Sequence, residues 1–560
     1  MKTSPFAVKQ AVALACCYVA CVQAQPNIGD VIRQVPDQAP IARPQPALPA
    51  VGGAFEPPMR TLPQGGASIV VKQIQLVDNR QISTEELLAQ LPEATGKRYT
   101  LQELELLAAQ LTRYYRSMGY FVARVYIPAQ EVKDGALTLR VIEGRYGQFK
   151  IDNKSLADDT TVQGIVDDIK KYDVVSLDTI ERAMLILNDT PGVQVIRADI
   201  LPGEQVGSSD FAIGTVATVS QQGYVLVDNY GSRYTGRDRV SFGYDWNSPS
   251  GSGDRASVSG LGSTNGNLLN GRAAYSSLLS YSGWRGELAA SQTTYSLGDS
   301  YKALDALGTA VGYDLALTYP IQRIRAQTIE FGLSYAQRDL KDQIRSTGTE
   351  TRKSSQTVSA SLSLRDETPW FGLSGITQGL IRVSQGTLNI LDAQARSLDQ
   401  ALAGARTHGD FTKVYASLSR ATLLPEGFTL TAQARRQLAL NGKNLDGSER
   451  MGIAGVSGVA AYPMGESSGT DATLFGLDLS QPLPSMFDLQ QQWQLFTNWG
   501  TARTLKENDP RTLSDIGLGW NARSQDGMLL KVQVARRTSG KALSEPDQTT
   551  RVLLQAGWVF

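Results

Sequence analysis

The chain is 560 residues long, with 54 Lys plus Arg against 54 Asp plus Glu, a single histidine and three cysteines. That balance offers no basic surplus to suggest nucleic acid, and one histidine, His408 in a Gly/Thr/Asp loop sequence, supports neither a His-built zinc site nor Ser-His-Asp chemistry. A G-x-S-x-G elbow, a phosphate-binding P-loop and a dinucleotide fingerprint are also missing, so the sequence predicts no catalytic residues, no cofactor, no metal and no enzyme.

In chain order, Lys2 and Lys9, the apolar run 11–22 and the small-residue site Val22-Gln23-Ala24 predict a secretory signal over 1–24. Cys16, Cys17 and Cys21 all lie inside it, so the mature chain lacks cysteine, as suits a bacterial envelope protein. A lipoprotein reading of Cys21 is opposed by Tyr18, which stands where an aliphatic residue is wanted. A short helix is expected at 28–34, within an N-terminal segment 25–35. The stretch 36–66, with Pro44, Pro46, Pro49, Pro57, Pro58 and Pro63, cannot bury a core and reads as an extended tether.

A compact α/β pattern occupies 67–147. Ile69, Val71 and Ile74 suggest a strand, and Ser83 with Glu86 a capping box. Thr100 with Glu103 opens a helix carrying Leu104, Leu107, Leu111, Tyr114 and Met118, which Gly119 ends. Strands at 121–127 and 136–142 follow, joined at Lys133-Asp134-Gly135. A less regular copy fills 148–211: a strand at 148–152, a helix at 161–171, a second helix capped by Asp178 and Glu181, a turn at Pro191-Gly192 and a strand at 193–200. Each copy runs strand, helix, helix and then strand.

From 212 to 560 one pattern repeats. Val358, Ala360, Leu362 and Leu364 alternate with Ser359, Ser361 and Ser363; Val311, Tyr313, Leu315, Leu317 and Tyr319 alternate with Gly312, Asp314, Ala316 and Thr318. Ile329, Phe331, Leu333 and Tyr335 repeat it, as do Phe428, Leu430, Ala432 and Ala434 against Thr429, Thr431, Gln433 and Arg435. The chain ends in phase on Val552, Leu554, Ala556, Trp558 and Phe560. A soluble sandwich or propeller also alternates, but an exported chain with one apolar and one polar face over many strands is the pattern of an antiparallel transmembrane β-barrel. Beyond the signal no run of eighteen apolar residues offers a spanning helix. The length suits roughly sixteen strands.

Several segments resemble a known family. Gly119-Tyr120-Phe121-Val122-Ala123-Arg124-Val125-Tyr126-Ile127-Pro128 with Glu143-Gly144 is similar to the end of a first polypeptide-transport-associated (POTRA) domain. Leu187-Asn188-Asp189-Thr190-Pro191-Gly192 and Gly207-Ser208-Ser209-Asp210 are similar to a second. Asp228-Asn229-Tyr230-Gly231-Ser232 resembles the start of the family's barrel. Gly458-Val459-Ala460-Ala461-Tyr462-Pro463 with Gly465-Glu466 and Gly469 resembles its sixth extracellular loop. The chain is thereby identified as a member of the outer-membrane transporters of two-partner secretion, relatives of the barrel-assembly factors.

The resemblance implies α+β periplasmic POTRA domains (67–147 and 148–211) ahead of an outer-membrane barrel (212–560), and export of one large β-helical partner, an adhesin or haemolysin, recognised through its N-terminal secretion domain. It also implies contact with outer-membrane lipid, a monomer, a plug helix at 25–35 and a tether at 36–66. The expected partner-binding residues are Tyr114, Phe121, Ala123, Val125, Tyr126 and Ile127. The expected pore-loop residues are Gly458, Val459, Ala460, Tyr462, Pro463, Gly465 and Glu466, and the pore-wall residues Phe496, Asn498 and Gly500. The chain departs from the family at one point: Ala460 and Asn498 stand where the family has an arginine and a wall aspartate. Losing both leaves a neutral site, so packing and neutral hydrogen bonds are expected to hold the loop. A barrel-assembly factor would carry more POTRA domains and lack the plug and tether, and a passive porin would not need residues 67–210.

Overall fold

The computed structural model describes residues 26–32, 35, 48–49, 68–91, 93–504, 509–546 and 548–560. The signal segment and nearly all of the Pro-rich segment lie outside these residues.

The first soluble module holds a three-stranded sheet in which Ala136–Ile142 lies between Gln73–Val77, parallel to it, and Arg124–Tyr126, antiparallel. The single strand expected around Ile69 to Ile74 is two: Ser68–Val71 breaks at Lys72 and pairs instead with Lys97–Thr100. Helix Leu101–Ser117 starts on the expected capping box, Thr100 accepting from the Glu103 amide while the Glu103 carboxylate accepts from Thr100. Its buried face is Leu104, Ala108, Leu111 and Tyr115, leaving Met118 exposed. The Ser83 cap forms by half, because the Glu86 carboxylate takes the Tyr114 hydroxyl at 2.6 Å. The strand expected over 121–127 shrinks to Arg124–Tyr126, since Phe121 and Val122 turn away to pack against the second module.

The second module places Ser208–Ala217 between Arg145–Lys154 and Val193–Pro202. The boundary expected between 211 and 212 falls inside that central strand, so the barrel starts at Gln221. Helix Asp159–Asp167 passes into a 3-10 turn, Asp168–Lys171, and helix Leu177–Asp189 is capped by Ser176, whose hydroxyl accepts from the Thr179 amide, rather than by Asp178.

Both modules close one sheet edge in the same way. Edge strands present unpaired amides. Here a helix side chain meets them: Thr112 Oγ1 accepts from the Val125 amide at 2.9 Å, and Asn188 Oδ1 from the Val195 amide at 2.7 Å.

The rest of the chain forms a closed barrel of sixteen strands, each antiparallel to its neighbours. The first, Gln221–Asp228, meets the last, Thr550–Val559, over only five paired residues, from Gln555↔Asp228 to Val559↔Tyr224. Gly223 and Phe560 exchange amide bonds at 2.8 and 2.9 Å, and the Asn229 carboxamide extends the join to Val552 and Leu554. The alternation is realised as read: Val358, Leu362, Tyr313, Leu333, Trp558 and Phe560 face outward and exposed, with the serines of the 359–363 run inside. Along Gln327–Ile344 the outward positions read Ile329, Phe331, Leu333 and Tyr335, then Gln337, Asp339, Lys341 and Gln343. The apolar band therefore stops at Tyr335 and the strand continues beyond the membrane.

The second module docks on the turns at one barrel end. Arg323 donates to both oxygens of Asp189 at 2.8 Å, Arg285 to Thr190 at 3.0 Å, and the Asp158 amide to the Gly251 carbonyl at 2.7 Å. The Arg323 guanidinium is nearly fully buried, and such bidentate pairs fix orientation as well as charge. Arg323→Ala is expected to loosen the module at a cost of about 2–5 kcal/mol. Nitroxides at 154 and 367 would report it as a broadened distance distribution; an unchanged narrow one would count against this pair as the clamp.

Candidate functional site

A closed barrel leaves a hole, and two segments of this chain fill it. The first is helix Ile28–Ile32, at the place expected for the plug. Asn27 accepts from the Asp30 amide at 3.1 Å while Asp30 accepts from the Asn27 amide at 3.3 Å, which starts the helix. Ile28 and Val31 bury against inward-facing Leu261, Leu268, Tyr295, Ala306, Ala310 and Leu340. Asp342 accepts from the Ile28 amide at 2.9 Å and from the Tyr295 hydroxyl at 2.7 Å. On its other side the helix meets backbone: a Cβ on Gly29 would stand 2.5 Å from the Ser448 amide nitrogen.

Ser448 belongs to the second filler, the long loop between strands Thr429–Ala439 and Asp471–Met486. It folds back into the lumen and is tied along its length. Lys353 pairs with Asp446 at 2.6 Å and Lys413 with Glu449 at 2.7 Å. Burial alone would push the Asp446 carboxyl up, but the Lys353 ammonium and the Ser448 amide and hydroxyl hold it below the usual carboxylate range. Arg435 donates to the Ser457 carbonyl.

The loop tip lies flat on the wall. Val459, Ala460, Ala461 and Tyr462 are all buried, packed with Ile453, Leu474 and Phe496. Gly500 leaves room for Ile453 and Val459, to which a Cβ would come within 3.2 and 3.4 Å, and Gly458 lies so close to Ile453 that a Cβ would meet its carbonyl oxygen at 2.3 Å. Phe496 spreads over Gly517 on the next strand. Ala460 and Asn498 do come together, but the neutral anchor expected there is corrected by Asp515. Its carboxyl group, fully buried on the strand beside Asn498, accepts from the Ala461 amide at 2.8 Å and from both the amide and side chain of Asn498 at 3.0 Å. The acid stands on the strand next to Asn498, and the loop meets it with a backbone amide.

At the far end of the barrel, Glu466 receives Arg511 and the amides of Leu543 and Ser544, the amides at 2.7 and 3.0 Å. Tyr462 donates to the Ser539 carbonyl. Glu545 in turn pairs with Arg237 at 2.8 Å and Arg551 at 3.2 Å. The last loop is thus drawn across the mouth and tied to both the first loop and the pore loop, with Pro463 buried and Gly465 turning at φ 82° beside it.

The residues expected to bind a partner are dispersed by comparison. Ala123 and Val125 are core: Val125 is the inward position of the three-residue strand, and Ala123, in the turn just before it, joins the same cluster under helix Leu101–Ser117. Phe121 belongs to the joint between modules. Tyr114, Tyr126 and Ile127 remain half-buried at the surface, the Tyr114 hydroxyl raised in pKa by its bond to Glu86. Asp342, Lys353, Lys413, Asp446 and Asp515 were not singled out from sequence; the available signal was an ionisable residue at an inward phase of the alternation, or beside a glycine in the pore loop.

A barrel plugged by its own N-terminus and its own loop, with α/β modules at one end, defines an outer-membrane translocation pore. A family model described as haemolysin secretion/activation protein ShlB/FhaC/HecB matches residues 207–522, and a ShlB-type POTRA domain model matches 69–144. The first covers more than half of the chain, which belongs to that family. Among curated relatives, the heme/hemopexin transporter protein HuxB of Haemophilus influenzae is 24% identical over 528 residues, 91% of each chain. Among solved structures, CdiB from Escherichia coli superposes with a TM-score of 0.73 at 17% identity, covering 91% of this chain and 94% of its own. CdiB from Acinetobacter baumannii gives 0.64 at 15% identity, covering 92% and 95%. These two likenesses speak to fold alone. The protein is an outer-membrane transporter of two-partner secretion, its POTRA domains in the periplasm.

Gly29→Val should unseat the plug, since the added carbons would collide with the Ser448 backbone and crowd the side-chain oxygens of Asp446 and Asn27. Planar-bilayer recordings are expected to show mean conductance rising by about threefold or more; a silent channel would mean that the helix tolerates the bulk in place. Asp515→Ala strands buried donors at about 1–3 kcal/mol each. It should loosen the loop tip, seen as new protease cleavage within 456–465 in a barrel that still migrates as folded, whereas a protected loop would show that packing suffices.

Proposed function

We propose that this chain exports one large β-helical exoprotein, an adhesin or haemolysin, captured in the periplasm through its N-terminal secretion domain and passed unfolded through the lumen of a single copy. It works as a conduit rather than a catalyst. The observation that carries this reading is that both lumen fillers are held by hydrogen bonds, a few ion pairs and packing, all within one chain. Such contacts are reversible, so plug and loop can yield to a client without loss of the wall. Inward Ser359, Ser361 and Ser363, Thr431 and Gln433 solvate a passing backbone without apolar traps. The chain has no nucleotide motif; folding of the client outside the cell makes its return unfavourable and supplies the direction.

Recognition by β-augmentation fits the first module's edge at Arg124–Tyr126, flanked by Tyr114, Tyr126 and Ile127. Thr112 already occupies the Val125 amide there, so a client strand must displace it.

Deleting the chain should remove one very large protein from the cell surface and leave it in, or degraded from, the periplasm; an unchanged surface proteome would end the export reading. Thr112→Val frees the Val125 amide for a client strand and is expected to tighten binding of the secretion domain by about two- to tenfold. Unaltered affinity would place recognition on another surface.

A further inference from the structure

The rim of the barrel that faces away from the soluble modules carries a charged group on its lipid side that the transport path does not use. On strands Thr429–Ala439, Asp471–Met486 and Leu489–Arg503 the outward phase brings Arg436, Asp471 and Arg503 together. The Asp471 carboxylate is only 8% exposed. Arg436 Nη1 stands 2.6 Å from one oxygen as an ion pair without hydrogen-bond geometry, and the other oxygen accepts from Arg503 Nε at 3.0 Å and lies 2.9 Å from its Nη2. Arg436 Nη1 also donates to Thr473 Oγ1 at 2.6 Å. The two arginine side chains remain 47% and 49% exposed, and the group sums to one net positive charge.

Directly below on the same outward phase lies the edge of the apolar band. Phe475 and Trp499 pair across their strands and stack at 5.8 Å, each more than two-fifths exposed, with Leu477 continuing the apolar face beneath. Aromatic rings of this kind mark the membrane boundary. Arg503 stands four positions above Trp499, roughly 13 Å along an extended strand, and Arg436 two positions above Ala434, roughly 7 Å. Phosphates of the outer leaflet lie at that height above the acyl chains. A guanidinium matches a phosphate with two parallel N–H donors, and here the acid holds Arg503 while the Thr473 hydroxyl holds Arg436.

We propose that Arg436 and Arg503 bind the phosphate of an outer-leaflet saccharolipid, whose acyl chains run down over Phe475, Trp499 and Leu477. Asp471 lies between the two cations and competes with the ligand for them.

The test is native mass spectrometry of the full-length protein in mild detergent, titrated with hexa-acylated bis-phosphoryl lipid A, the same lipid with its phosphates removed, and inorganic phosphate as competitor. The phosphorylated lipid should bind the unaltered protein, and Arg436→Gln with Arg503→Gln should weaken it by about tenfold or more. Asp471→Asn raises the net charge of the group and removes the competitor, so binding should hold or tighten by about two- to fivefold. Heat-modifiable migration checks that each barrel is folded. Equal retention of the dephosphorylated lipid, full displacement by inorganic phosphate, undiminished binding by the double variant, or weakened binding by Asp471→Asn in a folded barrel would each overturn the proposal. The last would mean that the three side chains serve only to brace the strands.

Discussion

A sheet that crosses hydrocarbon cannot keep an edge, because each unpaired amide or carbonyl there goes without water. Everything large about this molecule follows from that requirement. The last strand must find the first, and it does so through five residue pairs helped by the Asn229 carboxamide and the Gly223 to Phe560 exchange. Closure at sixteen strands encloses a space too wide for wall side chains to fill. An open hole of that size would be a leak, so the chain occupies it with its own plug and its own loop, which touch each other at Gly29 and Ser448.

The soluble modules face the opposite problem. Their sheets lie in water and may keep edges, yet both close one edge with a single polar side chain from the adjacent helix, Thr112 in one and Asn188 in the other. A side chain is a weaker stopper than a strand. It blocks chance pairing between proteins while leaving a directed partner only one hydrogen bond to replace.

The period-two pattern made the barrel legible because lipid and water impose opposite demands on alternate positions, and Val358 to Leu364 or Val552 to Phe560 cannot satisfy both in any other phase. The Thr100 capping box was legible for a local reason, since both partners lie within one turn. Contacts set by tertiary structure were not. Nothing near Ser83 announces that Glu86 will turn to Tyr114, and nothing near Ala123 announces that helix Leu101–Ser117 will cover it. The plug's place in the lumen was available only through resemblance; its grip, by Asp342 from 314 residues away in sequence, was not available at all.

The same distance explains Asp515. Read as strings, Ala460 and Asn498 look like the loss of an anchor, whereas folded they sit beside an acid supplied by the neighbouring strand. Because the loop answers that acid with a peptide nitrogen, the donor at position 461 comes from the backbone, and the buried site asks of the side chain only that it be small. A search for a tip arginine alone would pass over this chain, whose inward acid fastens the loop through its backbone.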